Sequence, residues 1–504
     1  MAEHVAGSKS LHHVHLLDES VSKDLLCRIM FEEEDCPGEL QGVVAKIGSD
    51  CSGLPLAIHV IGGLLSKVER SRDVWERVST DVKVSIVESD KHGDKSLEEE
   101  AEDYLKALVE RNLLLVRQKK SNGKPMSYSI HDLLRDLYIR KTNEEKFLNV
   151  KNCMRRASVQ SSHGMEDVRA SPQLMSLARS FICTGKEIIS PIFSIFKLVR
   201  VLDVMEMLFE EFPKDMLQLV NLRYIAFSCT SGVPIGISRL WNLQTLISRQ
   251  EMMHSVPDEI WEMSELRHLW LVTLIEIGKG YKIRFVHKKL QMIYFVRITP
   301  SLIRNGFFEI IPNIRSLGIY YLDSPDVEVD LSHLHKLKNL KCFSVLTKDG
   351  SCFLNKLRFP CSIRKLVIID CVVFRSFLTT LCALTNLEVL KIAYCVFERD
   401  GEAEEEEWEA TEGDEFHSLE FLCLQSLNIV CWRDDETNFP KLRVLHVFRC
   451  NELVEIPCGI GDIPTLQEIG IRECGASVVA SALQIQKVQR EEYDNYDLKV
   501  IIED

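Results

Sequence analysis

From about residue 196 onward the chain repeats one apolar pattern, L-x-x-L-x-x-L-x-L. It is plain in Leu219-Val-Asn-Leu222-Arg-Tyr-Ile225-Ala-Phe227 and in Met263-Ser-Glu-Leu266-Arg-His-Leu269-Trp-Leu271. It recurs at Ile311 to Ile319, Leu337 to Val345, Leu384 to Ile392, Phe439 to Val447 and Ile463 to Ile471. With weaker copies, units begin near 196, 219, 240, 263, 287, 311, 337, 360, 384, 421, 439 and 463, mostly 21 to 26 residues apart. No single unit can bury its own apolar face. Stacked units share one continuous core, so a fixed period of this length dictates a solenoid.

The period and pattern are those of leucine-rich repeats, one short strand and a return segment per unit. The register has an internal check. The third residue after the last strand position of such a unit is Asn or Cys. Here Cys371 follows Ile368, Cys395 follows Ile392, Cys450 follows Val447 and Cys474 follows Ile471 at that offset. A small side chain suits a tight inward turn, and a free Cys packs as a small hydrophobe. Several returns carry an apolar-Pro pair: Phe212-Pro213, Val233-Pro234, Val256-Pro257 and Ile456-Pro457. Proline fixes φ and lacks a donor, so it fits a turn leaving a strand. The expected fold is an α/β solenoid with a parallel sheet on its concave face.

The residue after the second apolar position of each unit should point away from the core. Across the twelve units it reads Arg200, Arg223, Gln244, Arg267, Gln291, Arg315, Lys341, Arg364, Glu388, Gln425, Arg443 and Gln467. Tyr224, His268, Trp270 and His446 lie beside this column. Two readings stay open. The strip binds an acidic peptide or an acidic protein surface, or it is a solvated ladder of long polar side chains. One interval, 37 residues between the units at 384 and 421, is out of step. Its segment Glu398 to Glu415 holds eleven acidic residues and one basic residue. Such a block repels itself, so a solvated, extruded loop is expected rather than docking on the basic strip.

The first 150 residues have helical patterning. Leu40, Val43, Val44, Ile47 and Cys51 recur at helical spacing after Pro37. A second, nearly all-apolar helix is expected from Pro55 to about Lys67. Ser96-Leu-Glu-Glu99 reads as a capping box opening a helix with Ala101, Leu105, Leu108 and Val109 on its apolar face. Leu113 to Arg117 then reads as a strand, Asn122-Gly123 as a hairpin turn and Tyr128 to Ile130 as the returning strand. A helix beginning at His131 would complete a winged-helix-like segment.

Two motifs in this part carry a resemblance. Cys51-Ser-Gly-Leu-Pro-Leu-Ala-Ile-His-Val-Ile-Gly-Gly-Leu-Leu-Ser66 is similar to the "GLPL" motif of plant coiled-coil nucleotide-binding leucine-rich-repeat disease resistance proteins. Ile130-His131-Asp132-Leu133-Leu134-Arg135-Asp136 resembles their "MHD" motif, with Ile in place of Met. The order of the two motifs before the repeats matches as well, and the late blight resistance-like subgroup is the one most resembled. The resemblance implies a receptor of plant innate immunity that recognises a pathogen effector or a guarded host protein through its repeats. It implies that Pro55 and His131 stand where intact family members contact the adenine and the β-phosphate of ADP. It also implies contacts with other immune receptors or with the N-terminal modules of an intact receptor.

The departures bear on nucleotide chemistry. No G-x-x-x-x-G-K-[ST] loop occurs, and Gly7-Ser-Lys-Ser10 lacks its first glycine and preceding strand. Without the lysine and amide cradle, bound phosphates would lose water with no compensation. No cofactor is therefore expected for this chain, and Pro55 and His131 are read as vestigial, although intact family members use ADP or ATP. The domain reading is a helical remnant over 1–80, a partial winged-helix-like segment over 81–150, a linker over 151–190, repeats over 191–475 and a C-terminal cap over 476–504.

Composition closes off other classes. The net charge of −14 disfavours a general coat for nucleic acid. The longest apolar stretch, Leu54 to Leu65, is too short to span a bilayer, and the first residues lack a secretory pattern. A cytoplasmic chain is expected, with peripheral membrane association left open. The 17 cysteines form no Cys-x-x-Cys pair. His12-His-Val-His15 is read as an exposed segment rather than a metal site. The basic residues Arg117, Lys119, Lys120 and Lys124 are read as an exposed hairpin, and Trp75, Trp261 and Trp432 as packing residues. No catalytic arrangement is supported by a local motif. The alternative function is a leucine-rich-repeat adaptor, such as a substrate receptor of a ubiquitin ligase.

Overall fold

The computed structural model describes residues 17–31, 36–38, 40–50, 97–110, 113–119, 125–130, 156–159, 170–185, 193–249, 256–271, 286–322, 332–351, 357–398, 407–408 and 413–503, with isolated positions such as 58, 61, 62, 65, 75, 168, 275 and 354. The chain forms two compact units, Met1–Thr142 and Asn143–Asp504.

In the first unit, α1 (Glu19–Phe31) and α2 (Gln41–Asp50) pack through Leu26, Met30, Val44 and Ile47, which are at most 4% exposed. Ile58, Leu65 and Trp75 join the same core. Gly62 is required at that contact, because a Cβ there would meet Ile29 Cγ2 at 2.7 Å. The expected capped helix is α3 (Leu97–Glu110). It is followed by an antiparallel hairpin of β1 (Leu114–Lys119) and β2 (Pro125–Ile130). Within it Arg117 Nε donates to Ser129 Oγ at 2.7 Å, so this basic residue braces the hairpin.

The second unit is the solenoid. Its strands begin with β3 (Arg156–Val159) and β4 (Ser180–Cys183). Next come β5 (Val201–Phe209), β6 (Tyr224–Cys229), β7 (Thr245–Arg249) and β8 (His268–Leu271). They continue as β9 (Met292–Ile298), β10 (Ser316–Leu322), β11 (Cys342–Ser351), β12 (Lys365–Phe374) and β13 (Val389–Ala393). Two short strands, β14 (Val396–Glu398) and β15 (Glu407–Trp408), precede β16 (Phe421–Gln425) and β17 (Cys431–Trp432). The series ends with β18 (Val444–Phe448), β19 (Glu468–Arg472) and β20 (Lys499–Glu503). One parallel sheet runs in chain order from β3 through β13, then β16, β18, β19 and β20, with β14 paired on β12 and a separate β15–β17 pair.

Alternation along each strand divides the residues between two faces. The inward columns, such as Phe181, Leu202, Ile225, Leu246, Leu269, Ile293 and Leu317, are fully buried. Each contributes about 1.5–3 kcal/mol by leaving water. Four asparagines ahead of their strands stitch neighbouring coils. The amides of Asn221, Asn242, Asn313 and Asn386 donate to Lys197, Val220, Lys288 and Cys361 carbonyls at 2.8–3.1 Å. Pro213, Pro257 and Pro457 each open a single 3₁₀ turn in the return, as their fixed φ predicts.

The repeat cysteines do more than fill space. Cys395 Sγ donates to Ala393 and Ile368 carbonyls at 3.3 and 3.8 Å, and Cys450 Sγ to Phe448 and Leu424 at 3.5 and 3.7 Å. Cys474 Sγ does the same to Arg472 and Val447. A thiol at this turn thus takes over the stitching role that Asn plays elsewhere. Each of these cysteines follows a left-handed residue: Asp370, Tyr394, Arg449 and Glu473 have φ of 49 to 56°, and Ser426 before Leu427 has 52°. The strand exit turns sharply at the same place in five successive coils.

Two expectations are revised, and the C-terminal cap is resolved into its elements. Residues 151–190, read as a linker, contribute β3 and β4 to the sheet. Their strands are short and carry only two inward residues each, too few for the leucine pattern to register. The C-terminal cap contains a helix, here α5 (Ala476–Glu492), as well as a further parallel strand, β20; an earlier helix, α4 (Arg375–Cys382), fills the return after β12. The acidic interval, expected as an extruded loop, contains a packed position. Trp408 is fully buried, β15 pairs in parallel with β17, and the indole N–H of Trp408 donates to Asp434 Oδ2 at 2.6 Å. Trp432 donates to the same carboxylate oxygen at 3.1 Å. Trp75, Trp261 and Trp432 are packing residues, at most 5% exposed.

Candidate functional site

The face of the sheet opposite the main core is the surface that the repeats leave for other work. Its basic column is continuous in the backbone. Each member's N–H donates to the previous member's carbonyl: Arg223 to Arg200 at 2.7 Å, Arg267 to Gln244 at 2.8 Å, Arg315 to Gln291 at 2.7 Å, Lys341 to Arg315 at 2.8 Å and Arg364 to Lys341 at 2.8 Å. The ladder also includes Arg179, which accepts from Arg200 and which the repeat count overlooked.

One member of the column is corrected. Glu420, not Gln425, occupies it, donating to Glu388 and accepting from Arg443. Gln425 sits at the far end of β16, opposite Ala393 and Phe448. The segment fits the pattern twice, as Phe416-Leu419-Leu422-Leu424 and as Phe421-Leu424-Leu427-Ile429, because β16 is apolar on both faces.

The correction divides the column. From Arg179 to Arg364 it holds only basic residues and glutamines. Beyond that, Glu388 and Glu420 follow in succession. Arg364 Nη1 lies 2.8 Å from Glu388 Oε1, and Arg443 lies 3.9 Å from Glu420 and donates to Gln467 at 3.0 Å. Such exposed pairs are worth at most about 1 kcal/mol, but they neutralise the strip at this end.

The aromatic residues flanking the column separate in the same way. Tyr224, His268 and Trp270 lie on β6 and β8. Tyr224 and His268 occupy one outward column, with Thr245 Oγ1 3.2 Å from His268 Nδ1 on the strand between. Burial, and then the charge of Asp203 on β5, push the Tyr224 hydroxyl above its ordinary pKa. Trp270, in the next outward column, is 48% exposed.

His446 is on β18, seven strand steps from β8, which is roughly 30 Å at the usual interstrand spacing. It belongs to a different environment. Its ring packs edge-on against Phe421 at 5.1 Å and beside Phe448 at 5.0 Å, and Nε2 lies 3.0 Å from Glu468 Oε1. Gly470 makes room for it, since a Cβ there would meet the ring at 2.7 Å. Around it Val389, Phe421 and Cys423 form a second apolar cluster on the outward face, all at most 4% exposed. The structure therefore does not bring His446 together with Tyr224, His268 and Trp270. The cluster has a sequence signal in Phe421-Leu-Cys-Leu424, an unbroken apolar run where a strand exposed on one face should alternate.

A shallow hollow of about 530 Å³ opens at the strand exits beside this cluster, lined by Ser426, Asn428, Arg449, Asn451, Glu452 and Glu473. Arg449 grips Glu473 with two hydrogen bonds of 2.8 and 3.0 Å, which hold the Glu473 carboxyl below its ordinary pKa. Pro55 and His131 lie outside the described residues. Among the described residues, no helix is long and apolar enough to cross a membrane.

Comparison with known proteins places both parts of the chain. Residues 177–393 match a leucine-rich repeat region, and residues 85–138 match a disease resistance protein winged helix domain. A putative late blight resistance protein homolog of Solanum demissum, R1B-16, is 28% identical over 99% of this chain and 44% of its own length. The late blight resistance protein R1-A of the same plant is 27% identical over 99% of this chain and 44% of its own length. The chain thus spans less than half the length of these relatives. Among solved structures, an internalin from Listeria monocytogenes is 13% identical over 66% of this chain and 88% of its own, with a TM-score of 0.40. The chain is similar to a disease-resistance winged helix over residues 85–138, to a leucine-rich-repeat region over residues 177–393 and, over nearly its whole length, to the late blight resistance proteins.

Proposed function

We propose that the chain is a receptor, or the recognition part of one, in plant defence, and that it recognises a pathogen effector or a guarded host protein rather than catalysing a reaction. The observation that carries this reading is the outward face of β5 to β8. There the exposed Arg200 and Arg223, the half-buried Tyr224, Arg267 and His268, and the exposed Trp270 share one surface. Arginine, tyrosine and tryptophan are the residues in which binding energy concentrates at protein interfaces. The column beside them carries no acidic residue from Arg179 to Arg364, so the matching partner surface is acidic. The cluster around His446 is already closed over, and has little area left to give.

The test is co-expression in Solanum leaf tissue with secreted effectors of the late blight pathogen, followed by affinity measurement on any effector that triggers cell death. Trp270→Ala should weaken binding at least about thirtyfold, equivalent to about 2 kcal/mol. Arg223→Glu should weaken it and flatten its salt dependence. Full affinity in both variants would move the recognition surface elsewhere.

The nucleotide part of the reading is that this chain alone does not hold ADP, since no phosphate loop accompanies Pro55 and His131. Equilibrium binding of labelled ADP to the purified chain decides it. Micromolar or tighter affinity would show that a cradle forms from other residues.

A further inference from the structure

Among the described residues, one edge of the sheet ends at its last strand. β20 (Lys499–Glu503) pairs with β19 on one side, and among the described residues no strand pairs with its other edge. In a parallel pair alternate residues send both N–H and C=O to the same neighbour. Lys499 N–H donates to Gln467 O at 2.9 Å, and Glu503 O accepts from Glu473 N–H at 3.2 Å. Residues 499, 501 and 503 therefore face β19, and Val500 and Ile502 direct their main-chain groups at the open edge.

The side chains tell the same story. Val500 and Ile502 continue the inward columns of Ile469 and Ile471, which are 0% and 1% exposed, yet Ile502 is 43% exposed. Ile501 is 42% exposed. Proteins usually blunt such an edge with charge. Here the two charges have opposite signs and stand at opposite ends of five residues.

That arrangement is self-complementary. An antiparallel copy centred on Ile501 sets Lys499 against Glu503 of the second copy, Val500 against Ile502, and Ile501 against itself. The Val500–Ile502 pairs become hydrogen-bonded pairs, each exchanging both N–H···O bonds, because those are the groups aimed outward. Centring on Val500 or Ile502 instead sets one of the charged residues against Ile501. Only the register about Ile501 pairs all five residues, sets Lys499 against Glu503, which within one chain already lies 3.9 Å from Arg472 Nη1, and places Val500 over Ile502 on the core side. We propose that β20 is a homodimerisation edge, through which two copies of this chain join their sheets antiparallel about a two-fold axis at Ile501. The contact is isologous, with the same patch on both partners. It is an edge contact and does not depend on what the outward face binds.

The register gives a sharp test on the full chain. At a non-hydrogen-bonded antiparallel pair the Cα atoms stand about 4.5 Å apart, within reach of a disulfide. Under mild oxidation Ile501→Cys should form a reducible dimer whose digest contains the peptide spanning position 501 joined to its own copy, and Glu503→Cys should not. In sedimentation velocity the unaltered chain should show a concentration-dependent dimer. Ile501→Lys, which sets like charges on the axis, should raise the dimer dissociation constant at least about tenfold. Its circular dichroism and thermal midpoint as monomer should stay unchanged, because Ile501 is exposed. A chain that stays monomeric at every concentration overturns the proposal. So does cross-linking of the Glu503→Cys variant as efficient as that of Ile501→Cys.

Discussion

Strands β6 to β8 and strands β13 to β19 belong to one sheet and share one core, yet they finish their outward faces in opposite ways. On β6 to β8 the outward positions hold Tyr224, His268 and Trp270 beside a basic column, and Trp270 stays 48% exposed. On β13 to β18 the same positions hold Val389, Phe421 and Cys423, all at most 4% exposed, around His446. The inward columns cannot differ so much, because every coil must pack on the next. The outward columns carry no such obligation and are free to differ. One leaves Trp270 open to solvent; the other packs across neighbouring strands.

Substitutions at Phe421 and Trp270 break or sharpen that division most. Phe421→Ala should cost about 3 kcal/mol of unfolding free energy, at the lower end for a buried Phe because its cluster is small. Trp270→Ala, although it removes a larger side chain, should change stability by about 0.5 kcal/mol or less. Urea denaturation of the two variants side by side checks both values. Equal losses would mean that the two faces are built alike.

A smaller effect concerns the strand exits. In the folded chain Arg449, and then Arg472, keep the Glu473 carboxyl below its ordinary pKa. A carboxyl lowered on folding adds stability above its unfolded pKa, and that stability is lost as pH falls through the folded value. Replacement of Arg449 by Gln should therefore make the acid side of the stability profile shallower, read from thermal midpoints between neutral and acidic pH. An unchanged profile would show that the pair is screened away at this exposed site.

The repeat can be read in the sequence because burial forces it. Leu222, Ile225 and Phe227 have no alternative to their spacing, and the hairpin after α3 announces itself through Asn122-Gly123 between two strand-like runs. The register of β16 is not legible, since Leu424 serves two overlapping matches and only the outward cluster around Phe421 explains the choice. Trp408 escapes notice because the acidic residues around it dominate the local composition, while its partner Asp434 lies 26 residues onward. The row of left-handed residues has no signal either. Asp370, Tyr394, Ser426, Arg449 and Glu473 share no chemistry, only a place in the coil. The basic column is visible as residue types, but its division at Glu388 and Glu420 depends on the register of β16, the one that the pattern leaves ambiguous.

The indole–carboxylate knot at Trp408, Asp434 and Trp432 has an evolutionary corollary. It fixes one point within the acidic tract, and chain length between fixed points is cheap to alter, since each doubling of a loop costs only about 0.6 kcal/mol. The glutamate tract on either side can lengthen, shorten or change its residues across generations while the coil beneath keeps its place. Variation among relatives should therefore gather on both flanks of the tryptophan and spare the knot itself.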